Sequence, residues 1–600
     1  MQESVARLRL KPLVQDLDSW SSQELIEGGI SRHHTPKPDA FWDVVVLTAA
    51  DEGQKIAYEL QLKEKRDCGT IPTFCRYHVF SDPPGPKAGC GGSTLYVLQE
   101  LDRLYGSKLK SYRVLLLNAG GQSQRLPSAS VLGKVFTALP VGKPMYQLLE
   151  VKLAIYLPLL IRMKPGIFHA SSDTIEAYDL GDGGDWTFEK AGFTAMAHPS
   201  SVEIGTTHGV FVLEENDSAT TALAALRRCL RVLQKPSVQT MKDQGAIMTI
   251  NGRQAVYTDS CFFFDHDVAD KLLEFYRLNA PLDCEIDAYG DFLQALGPQA
   301  TIDYTTDTKN VSQIEPKLAQ VRQQIYHLLR DTPLNIVLLS ASQFYHLGTM
   351  SEYIDHLCVD TVLARHVGFG RDVFNHLLES DPPADGFVDA IQGCLMHNRL
   401  PRSSTISHTA VVEYCDFDDA VDIGSRCVIS NCASLKAVDV VIPDDKFLHT
   451  VAVRREGGDS EYVTMVLDIG DNLKTKAKSE SGVGTLTFLG QPLSVAMEKL
   501  SLSVGDLFPN CTPPYSLWYA QLFPVCSSMS ESFNQALGLL QTLSPSDTVV
   551  NGDVADSEPV TRSNGNTTDR MSMADMLQYK DVTAMLAYRR QLHDKIKSSQ

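Results

Sequence analysis

A short apolar run that ends in two glycines constrains this chain more than any other feature. Val114–Leu117 is typical of a buried strand, and Gly120 and Gly121 follow it where the chain must turn. Glycine permits positive φ and lets backbone N–H groups approach an anion closely. Arg125 and Lys134 add two cations shortly afterwards. The pattern indicates a site for a phosphate-bearing ligand; an ordinary βα turn with solvated charges is the alternative.

Better-known phosphate loops do not fit these residues. A Walker loop needs glycine where Ser128 stands and a serine or threonine where Val135 follows the lysine. The dinucleotide fingerprint fails because Thr94 replaces its last glycine. No GxSxG elbow is present in the sequence either. Kinase, dehydrogenase and serine hydrolase are therefore disfavoured classes.

Strand-like runs flank the glycine turn on both sides. Val44–Leu47 and Gly166–Ala170 are continuous apolar stretches, which suit strands covered on both faces. Strands and helices alternate to about residue 330, and this predicts an α/β domain with a mostly parallel sheet. Within it a helix is predicted, capped by Ser218, ended by Pro236, and apolar along Leu223, Leu226, Leu230 and Leu233.

The hydrophobic period changes after about residue 400. Apolar residues then recur every six positions, at Val411, Phe417, Ile423, Ile429, Leu435, Val441 and Phe447. This is the period of a hexapeptide β-helix, in which each inward residue stacks on the next coil. A plain antiparallel sheet is the alternative.

The predicted domain organisation has five parts. Residues 1–40 form an N-terminal tail, 41–330 the catalytic α/β domain, and 331–543 the β-helix-type domain with connecting helices. Residues 544–572 are polar and aperiodic, and we expect a disordered linker. A C-terminal helix over 573–600 is expected to dock on the rest of the protein.

Charge and cysteine content exclude other classes. With 54 Lys+Arg against 73 Asp+Glu, the net charge is −19, which disfavours nucleic acid or an anionic membrane as partner. The 13 cysteines include no CxxC pair, so we expect reduced thiols in a cytoplasmic protein. The N-terminus has no apolar signal core, and no apolar stretch is long enough to span a bilayer.

At the level of motifs, the chain resembles the sugar-nucleotide pyrophosphorylases. LNAGGQSQRLPSASVLGK, followed by LPVGKPMYQL, resembles their AGGxGxRL…K…KP signature. Ser123 departs from it, because many members have a second glycine there. Further segments follow in the family's order: GIFHASSD ending at Asp173, IGTTHGVF from Ile204, LQKP with Lys235, YTDSCFFF from Tyr257, and CEID ending at Asp287.

The resemblance implies a fold and a reaction. The expected fold is a Rossmann-like nucleotide-diphospho-sugar transferase core, then a left-handed parallel β-helix through which homo-oligomers could form, then a C-terminal helix. DPPGPKAGCGGSTL, GTTHGVFV and CEIDAYGDFLQALG are most similar to members that use GTP and L-fucose 1-phosphate. Transfer of GMP to the sugar phosphate, with release of pyrophosphate, is the expected reaction. A different sugar or nucleotide, and a catalytically silent sugar-nucleotide-binding regulator, stay open.

The resemblance also implies roles for individual residues. Arg125 would hold the leaving phosphates, Lys134 would lie over the α-phosphate, and Asp173 and Asp287 would bind Mg²⁺, with Asp259 as the rival ligand. The expected nucleotide contacts are Gly91, Gly92, Gly120, Gly121, Ser123, Gly205 and Thr206. The expected substrate contacts are His208, Lys235, Asp259 and Asp287.

Overall fold

The computed structural model describes eleven stretches of the chain, and every structural statement refers to them. They are residues 41–142, 145–181, 186–214, 223–250, 252–309, 311, 313–379, 390–434, 440–509, 511–543 and 569–599. The predicted N-terminal tail over 1–40, the proposed cap Ser218 and most of the predicted linker lie outside the described residues. The last residues of that linker are described and include a short strand at Arg570–Met571.

The chain divides into two units, each described by itself. The first comprises the described residues up to Gly121 and then Leu149–His346, and the second comprises Gln122–Leu148 and Leu347 onwards. The division after His346 lies beyond the predicted domain boundary at 330. The segment directly after the two glycines folds with the second unit.

In chain order the strands are β1 Val44–Ala49, β2 Arg76–Ser81, β3 Arg113–Asn118, β4 Ala138–Leu139, β5 Tyr146–Gln147, β6 Gly166–Ser171, β7 Thr174–Tyr178, β8 Phe193–Ser200, β9 Gly209–Leu213, β10 Ala224–Gln234, β11 Met248–Ile250, β12 Arg253–Asp265, β13 Leu334–Leu339, β14 Ser342–His346, β15 Asp372–Val373, β16 His376–Leu378, β17 Cys394–Met396, β18 Arg399–Pro401, β19 Thr405–Ile406, β20 Val411–Glu413, β21 Asp416–Phe417, β22 Val421–Ile423, β23 Val428–Ser430, β24 Ala433–Ser434, β25 Val440–Ile442, β26 Lys446–Arg454, β27 Ser460–Asp468, β28 Thr487–Phe488, β29 Gln491–Pro492, β30 Phe523–Pro524 and β31 Arg570–Met571.

The α-helices are α1 Glu52–Asp67, α2 Gly89–Tyr105, α3 Ser128–Leu132, α4 Leu148–Ile155, α5 Leu157–Leu160, α6 Val202–Gly205, α7 Val238–Asp243, α8 His266–Asn279, α9 Leu318–Leu329, α10 Met350–Ile354, α11 Thr361–Val367, α12 Glu480–Val483, α13 Leu493–Leu500, α14 Val504–Leu507, α15 Met529–Leu543, α16 Met573–Tyr579 and α17 Val582–Ser598.

A mixed sheet forms the centre of the first unit. Its strand order is β2-β1-β3-β6-β12-β8-β13-β10-β9, with β11 paired to β12. The pairs among β2, β1, β3 and β6 are parallel, whereas β12 runs antiparallel to both β6 and β8. The three predicted strands are confirmed as β1, β3 and β6. The prediction of a mostly parallel sheet is wrong, because β12 and β10 insert in the opposite direction.

The apolar strands are buried between layers of helices and loops. Every residue of β1 is buried, as its unbroken apolar run requires. Val44 and Leu116 share a core cluster with Leu95 of α2 and Leu272 of α8. Strands β13 and β14, assigned by sequence to the second domain, belong to sheets of the first unit.

The helix predicted along four leucines is a strand in the structure. Residues 224–234 form β10, which pairs antiparallel with β9 and with β13. The leucine spacing fits one helix face, but the same residues find hydrogen-bonding partners on two neighbouring strands. Short apolar runs do not distinguish buried strands from helices by period alone, and the tertiary pairing decides here.

The second unit contains three parallel sheets that successive strands visit in rotation. They are β15-β17-β20-β23-β26, β16-β18-β21-β24 and β19-β22-β25, with β27 antiparallel to β26 at one edge. Cys394 pairs with Val411 and Val411 with Val428, so one turn takes 17 residues. The plain antiparallel alternative is therefore wrong for these strands.

The strict six-residue register needs a correction. Each 17-residue turn is one residue short of three hexads, so Val428 rather than Ile429 stacks on Val411. Val441, predicted to point inward, is 39% exposed, whereas its neighbours Val440 and Ile442 are buried. Leu435 lies outside the described residues.

The C-terminal segment docks on the second unit, but as two helices. Helix α16 ends at Tyr579, and α17 begins after Asp581, whose carboxylate accepts a hydrogen bond from the Ala584 N–H at 3.0 Å. This new N-cap is the reason that the single helix predicted over 573–600 is wrong. Helix α17 packs against β18 and β26. In the described part of the chain no helix is long and apolar enough to cross a membrane.

Candidate active site

The glycine turn at the end of β3 packs against the end of the neighbouring strand β1. The Thr48 hydroxyl accepts hydrogen bonds from the N–H groups of Ala119 and Gly120, at 3.1 and 3.3 Å. A Cβ on Gly120 would lie 3.3 Å from the Ala49 carbonyl carbon. Gly121 has φ +111°, and its carbonyl accepts a hydrogen bond from the Gln54 side chain at 3.0 Å. Both glycines are therefore required by the backbone path.

The turn continues in the second unit through a serine with a glycine-like backbone. Ser123 has φ +49°, in the left-handed region that costs other residues about 1–2 kcal/mol. Its carbonyl accepts hydrogen bonds from the Leu126 N–H at 2.9 Å and the Ser130 hydroxyl at 3.2 Å. These two bonds hold the conformation that a glycine would adopt without cost.

The two cations of the motif lie on the same segment of the second unit. Arg125 has an exposed side chain, and its carbonyl accepts a hydrogen bond from the Met350 N–H at 2.9 Å. Lys134 is half-buried and begins a single helical turn after Gly133, whose φ is +95°.

Asp173 directly follows β6 and has two close partners. Its Oδ1 accepts a hydrogen bond from the Ser171 hydroxyl at 2.5 Å, and its Oδ2 lies 3.4 Å from His346 Nε2. Pairing of β7 with β14 brings His346 opposite Thr174. His346 was missed by sequence reasoning, and no local signal marks a residue so distant along the chain.

Asp259 is a buried carboxylate with one oxygen that no described residue satisfies. It lies at an irregularity of β12, and its Oδ1 accepts a hydrogen bond from the Gly209 N–H at 3.0 Å. Its Oδ2 is buried and has no partner among the described residues. Burial raises the pKa of Asp259 to about 7, and the charge of Asp287 adds to this rise, while the Gly209 N–H and Lys235 oppose it.

Asp287 caps a short helical turn over 288–292. Its Oδ1 accepts hydrogen bonds from the Tyr289 N–H at 2.9 Å and from the Cys90 thiol at 3.3 Å. Its own N–H donates to Asp291 Oδ2 at 2.7 Å. The electrostatic effect on Asp259 shows that two of the three predicted carboxylates influence each other.

Gly91 and Gly92 lie in the first turn of α2 and are engaged by the protein itself. Their N–H groups both donate to the Ile286 carbonyl, at 2.8 and 3.3 Å. A Cβ on Gly91 would lie 2.7 Å from Ile286 Cγ2. These contacts account for both glycines through close packing against 286–288, and they occupy the hydrogens that a phosphate would need.

The predicted loop after β8 brings His208 and Lys235 together. The exposed Lys235 has φ +45°, and its N–H donates to the His208 carbonyl at 3.0 Å. His208 Nδ1 lies 2.9 Å from the Thr207 hydroxyl. Gly205 is buried against Val256, and the Thr206 hydroxyl donates to the Glu203 carbonyl at 2.7 Å.

A buried ion pair supports the strand that follows Asp173. Lys152 and Glu176 are both fully buried, with Nζ 3.1 Å from Oε2. Lys152 Nζ also donates to the hydroxyls of Thr174 and Tyr156, at 2.8 and 2.9 Å. The sequence gave no sign of this pair, because Lys152 lies within an otherwise apolar helical stretch.

Taken together, the fold and these side chains define a mixed α/β protein with a candidate site for an anionic, phosphate-bearing ligand. Similarity to known proteins makes this specific. The family model of the fucose pyrophosphorylase domain matches residues 106–528, more than half of the chain. The chain belongs to the fucose pyrophosphorylase family.

Two characterised relatives are similar over nearly their whole length. The chain is 41% identical to the fucose-1-phosphate guanylyltransferase of Mus musculus, over 93% of this chain and 94% of that one. It is 40% identical to the fucose-1-phosphate guanylyltransferase of Homo sapiens, over 92% and 90%. A solved structure of UDP-glucose pyrophosphorylase with UDP-glucose aligns at 8% identity over 52% of this chain and 97% of that one. Its TM-score of 0.24 is too low to carry any argument.

Proposed function

We propose that the protein transfers GMP from GTP to L-fucose 1-phosphate, forming GDP-L-fucose and pyrophosphate. The observation that carries this proposal is the 41% identity to a fucose-1-phosphate guanylyltransferase across 93% of this chain. Near-complete coverage of both chains means that no domain of the relative is left without a counterpart of similar length.

The reaction needs no covalent enzyme intermediate. An oxygen of the sugar phosphate attacks the α-phosphorus of GTP, and pyrophosphate leaves from the opposite side. Catalysis then depends on positioning the reactants and on neutralising the charge that develops on the phosphoryl oxygens. We assign this neutralisation to Arg125, through bidentate contacts to the leaving phosphates, and to Lys134 at the α-phosphate.

We assign Mg²⁺ to Asp173 and Asp287, with Asp259 as the alternative ligand. No cluster of three or more His, Cys, Asp or Glu side chains suited to a metal occurs in the described ranges. Mg²⁺ is compatible with this arrangement, because it is usually bound by one or two carboxylates and completes its shell with water and substrate phosphates. The unsatisfied Oδ2 of Asp259 is a donor of the right kind. When bound, the ion would neutralise phosphate charge.

The remaining contacts are proposed from the residues around these carboxylates. Gly120, Gly121 and Ser123 form the turn that we assign to the nucleotide phosphates. His208 and Lys235 lie together, and we assign Lys235 to the fucose phosphate. Gly205, Thr206, Gly91 and Gly92 are proposed nucleotide contacts through backbone shape. Asp259 is the proposed acceptor for a hydroxyl of the sugar.

Three wider features belong to the same proposal. The rotating 17-residue coils are those of a parallel β-helix, which we propose to be left-handed and to mediate self-association. The nucleotide-diphospho-sugar transferase type is proposed for the first unit. A cytoplasmic location is supported by the thirteen cysteines, all of which are unpaired.

The test is pyrophosphate release by the purified protein with Mg²⁺ across a panel of substrates. GTP, ATP and UTP would each be combined with L-fucose 1-phosphate, mannose 1-phosphate and glucose 1-phosphate. Release with GTP and L-fucose 1-phosphate alone is expected. Release with another pair would replace the substrate but keep the reaction type. No release from folded protein that binds GDP-L-fucose would indicate a silent regulator.

A further inference from the structure

The segment that carries Arg125 and Lys134 is fastened within the second unit through main-chain carbonyls. The Arg125 carbonyl accepts a hydrogen bond from the Met350 N–H at 2.9 Å, at the start of α10. The Ala138 carbonyl, four residues after Lys134, accepts one from the Tyr353 hydroxyl at 3.0 Å, near the end of α10. The backbone on both sides of the two cations therefore depends on one short helix.

The fastening at Tyr353 leads to a buried carboxylate. Tyr353 is fully buried, and its hydroxyl also lies 2.8 Å from Glu413 Oε2 on β20. The other oxygen of Glu413 accepts a hydrogen bond from the Ser430 hydroxyl at 2.6 Å. Since Tyr353 contacts both groups through a single hydroxyl, the position of the Ala138 carbonyl is linked to that of Glu413.

A second fastening holds the end of the same segment. The side-chain amide of Gln147 donates to the Tyr414 hydroxyl at 3.3 Å. Tyr414 follows Glu413 directly, so the two fastenings end on adjacent residues. Both residues are buried.

Arg589, on the C-terminal helix α17, acts on both of these residues. Its guanidinium carbon lies 3.6 Å from the centre of the Tyr414 ring, the geometry of a cation–π contact. Its Nε donates to Asn431 Oδ1 at 3.0 Å, which fixes the plane of the guanidinium. Burial raises the pKa of Glu413, and the positive charge of Arg589 opposes that rise. A buried carboxylate needs such compensation to remain charged.

We propose that Arg589 is a positioning residue for the Arg125–Lys134 segment, acting through Tyr414 and through the Glu413–Tyr353 link. The inference rests on the catalytic roles proposed above for Arg125 and Lys134. It gives the C-terminal helix a function in the reaction, although the helix lies more than 400 residues from the motif in sequence. Arg589 itself touches no substrate in this account.

The expected kinetic signature follows from what the segment does. Its cations stabilise charge that develops in the transition state, so displacing them lowers kcat more than it weakens substrate binding. Small displacements of such groups are costly in rate. We expect Arg589→Gln to lower kcat about tenfold or more, with the KM for both substrates changed less than about threefold.

The experiment compares variants of the full chain in the forward reaction. Arg590→Gln is the matched control, because it removes the same charge from an exposed neighbouring position on α17. We expect Arg590→Gln to stay within about twofold of wild type and Arg589→Lys to recover part of the loss. Tyr353→Phe should also lower kcat. The Arg589→Gln/Tyr353→Phe double variant should lose less than the product of the two single losses, because both act through one link.

Melting temperatures and GDP-L-fucose affinity separate positioning from instability. A normal kcat for Arg589→Gln, or equal losses for Arg589→Gln and Arg590→Gln, would overturn the inference. If Arg589→Gln does not fold, Tyr353→Phe decides, because it deletes one hydroxyl only and a normal kcat there would also overturn it. Lys134→Ala is measured alongside. Full turnover by that variant would instead refute the role proposed for the cation.

Discussion

At the scale of single residues, the site consists of groups whose surroundings oppose their chemistry. Ser123 adopts a backbone conformation that favours glycine, and Asp259 is a carboxylate buried with one oxygen unsatisfied. Both cost folding free energy that an inert surface loop would not need to spend. Such features concentrate at functional sites, and they support assignments that similarity alone gives only for the whole chain.

Lys134→Ala is expected to reduce kcat about a hundredfold or more. The lysine is proposed to stabilise charge that forms only during transfer, and one such contact contributes a few kcal/mol to the barrier. The melting temperature should change little, because the side chain is not part of the core. Steady-state kinetics beside a thermal melt would check both statements, and full turnover would refute the assignment.

Asp259 should make the stability of the metal-free protein depend on pH. Its folded-state pKa of about 7 lies above the ordinary value of 3.8, so the folded protein binds the proton more tightly than the unfolded chain. This contribution to stability is fully present below the unfolded pKa and is lost as the pH rises through about 7. Its size is on the order of a few kcal/mol.

Asp259→Asn should remove that part of the dependence. Chemical unfolding at pH 5, 6, 7 and 8, without Mg²⁺, would compare the two proteins. The wild type should lose stability across this range and the variant should lose less. Parallel curves for the two proteins would show that Asp259 is ionised throughout.

At the scale of elements, the start of α2 illustrates how a glycine motif can be explained by packing. Gly91→Ala should destabilise the protein by about 1–3 kcal/mol, because its Cβ would lie 2.9 Å from the Ile286 carbonyl oxygen. Gly92→Ala is the matched control, since its Cβ would meet only the Ala88 Cβ at 3.2 Å. Equal melting temperatures for the two variants would contradict the packing account.

The 17-residue turn of the parallel sheets makes a similar prediction about register. Val428→Ala removes two methyl groups from a fully buried position and should cost about 1–2 kcal/mol of stability. Val441→Ala acts on a residue that is 39% exposed and should cost under about 0.5 kcal/mol. The strict six-residue register predicts an inward Val441, so a large loss in that variant would restore it.

What could be predicted from sequence differs between these elements for physical reasons. Strands β1, β3 and β6 were predictable because each is a continuous apolar run that only a covered strand explains. Strand β10 was not, because its leucines also fit a helix face and its partners lie far away in sequence. The same distance hides the Asp173–His346 contact, which exists only once β7 and β14 have paired.

At the scale of the whole molecule, the family motif is shared between the two units. Gly120 and Gly121 belong to the first, whereas Ser123, Arg125 and Lys134 belong to the second. The sequence suggested one catalytic domain followed by a separate β-helix-type domain, because the motif is continuous along the chain. Contacts of residues 122–148 with 347–600 override that reading, and they make the second unit a participant in the proposed chemistry.

The most direct test of the central claim is to identify the product. Purified protein would be incubated with GTP, L-fucose 1-phosphate and Mg²⁺, and the products resolved by mass spectrometry beside the Lys134→Ala variant. The account predicts GDP-L-fucose and pyrophosphate in equal amounts from the wild type, and far less of both from the variant. Absence of GDP-L-fucose from folded wild-type protein, or equal formation by both proteins, would contradict it.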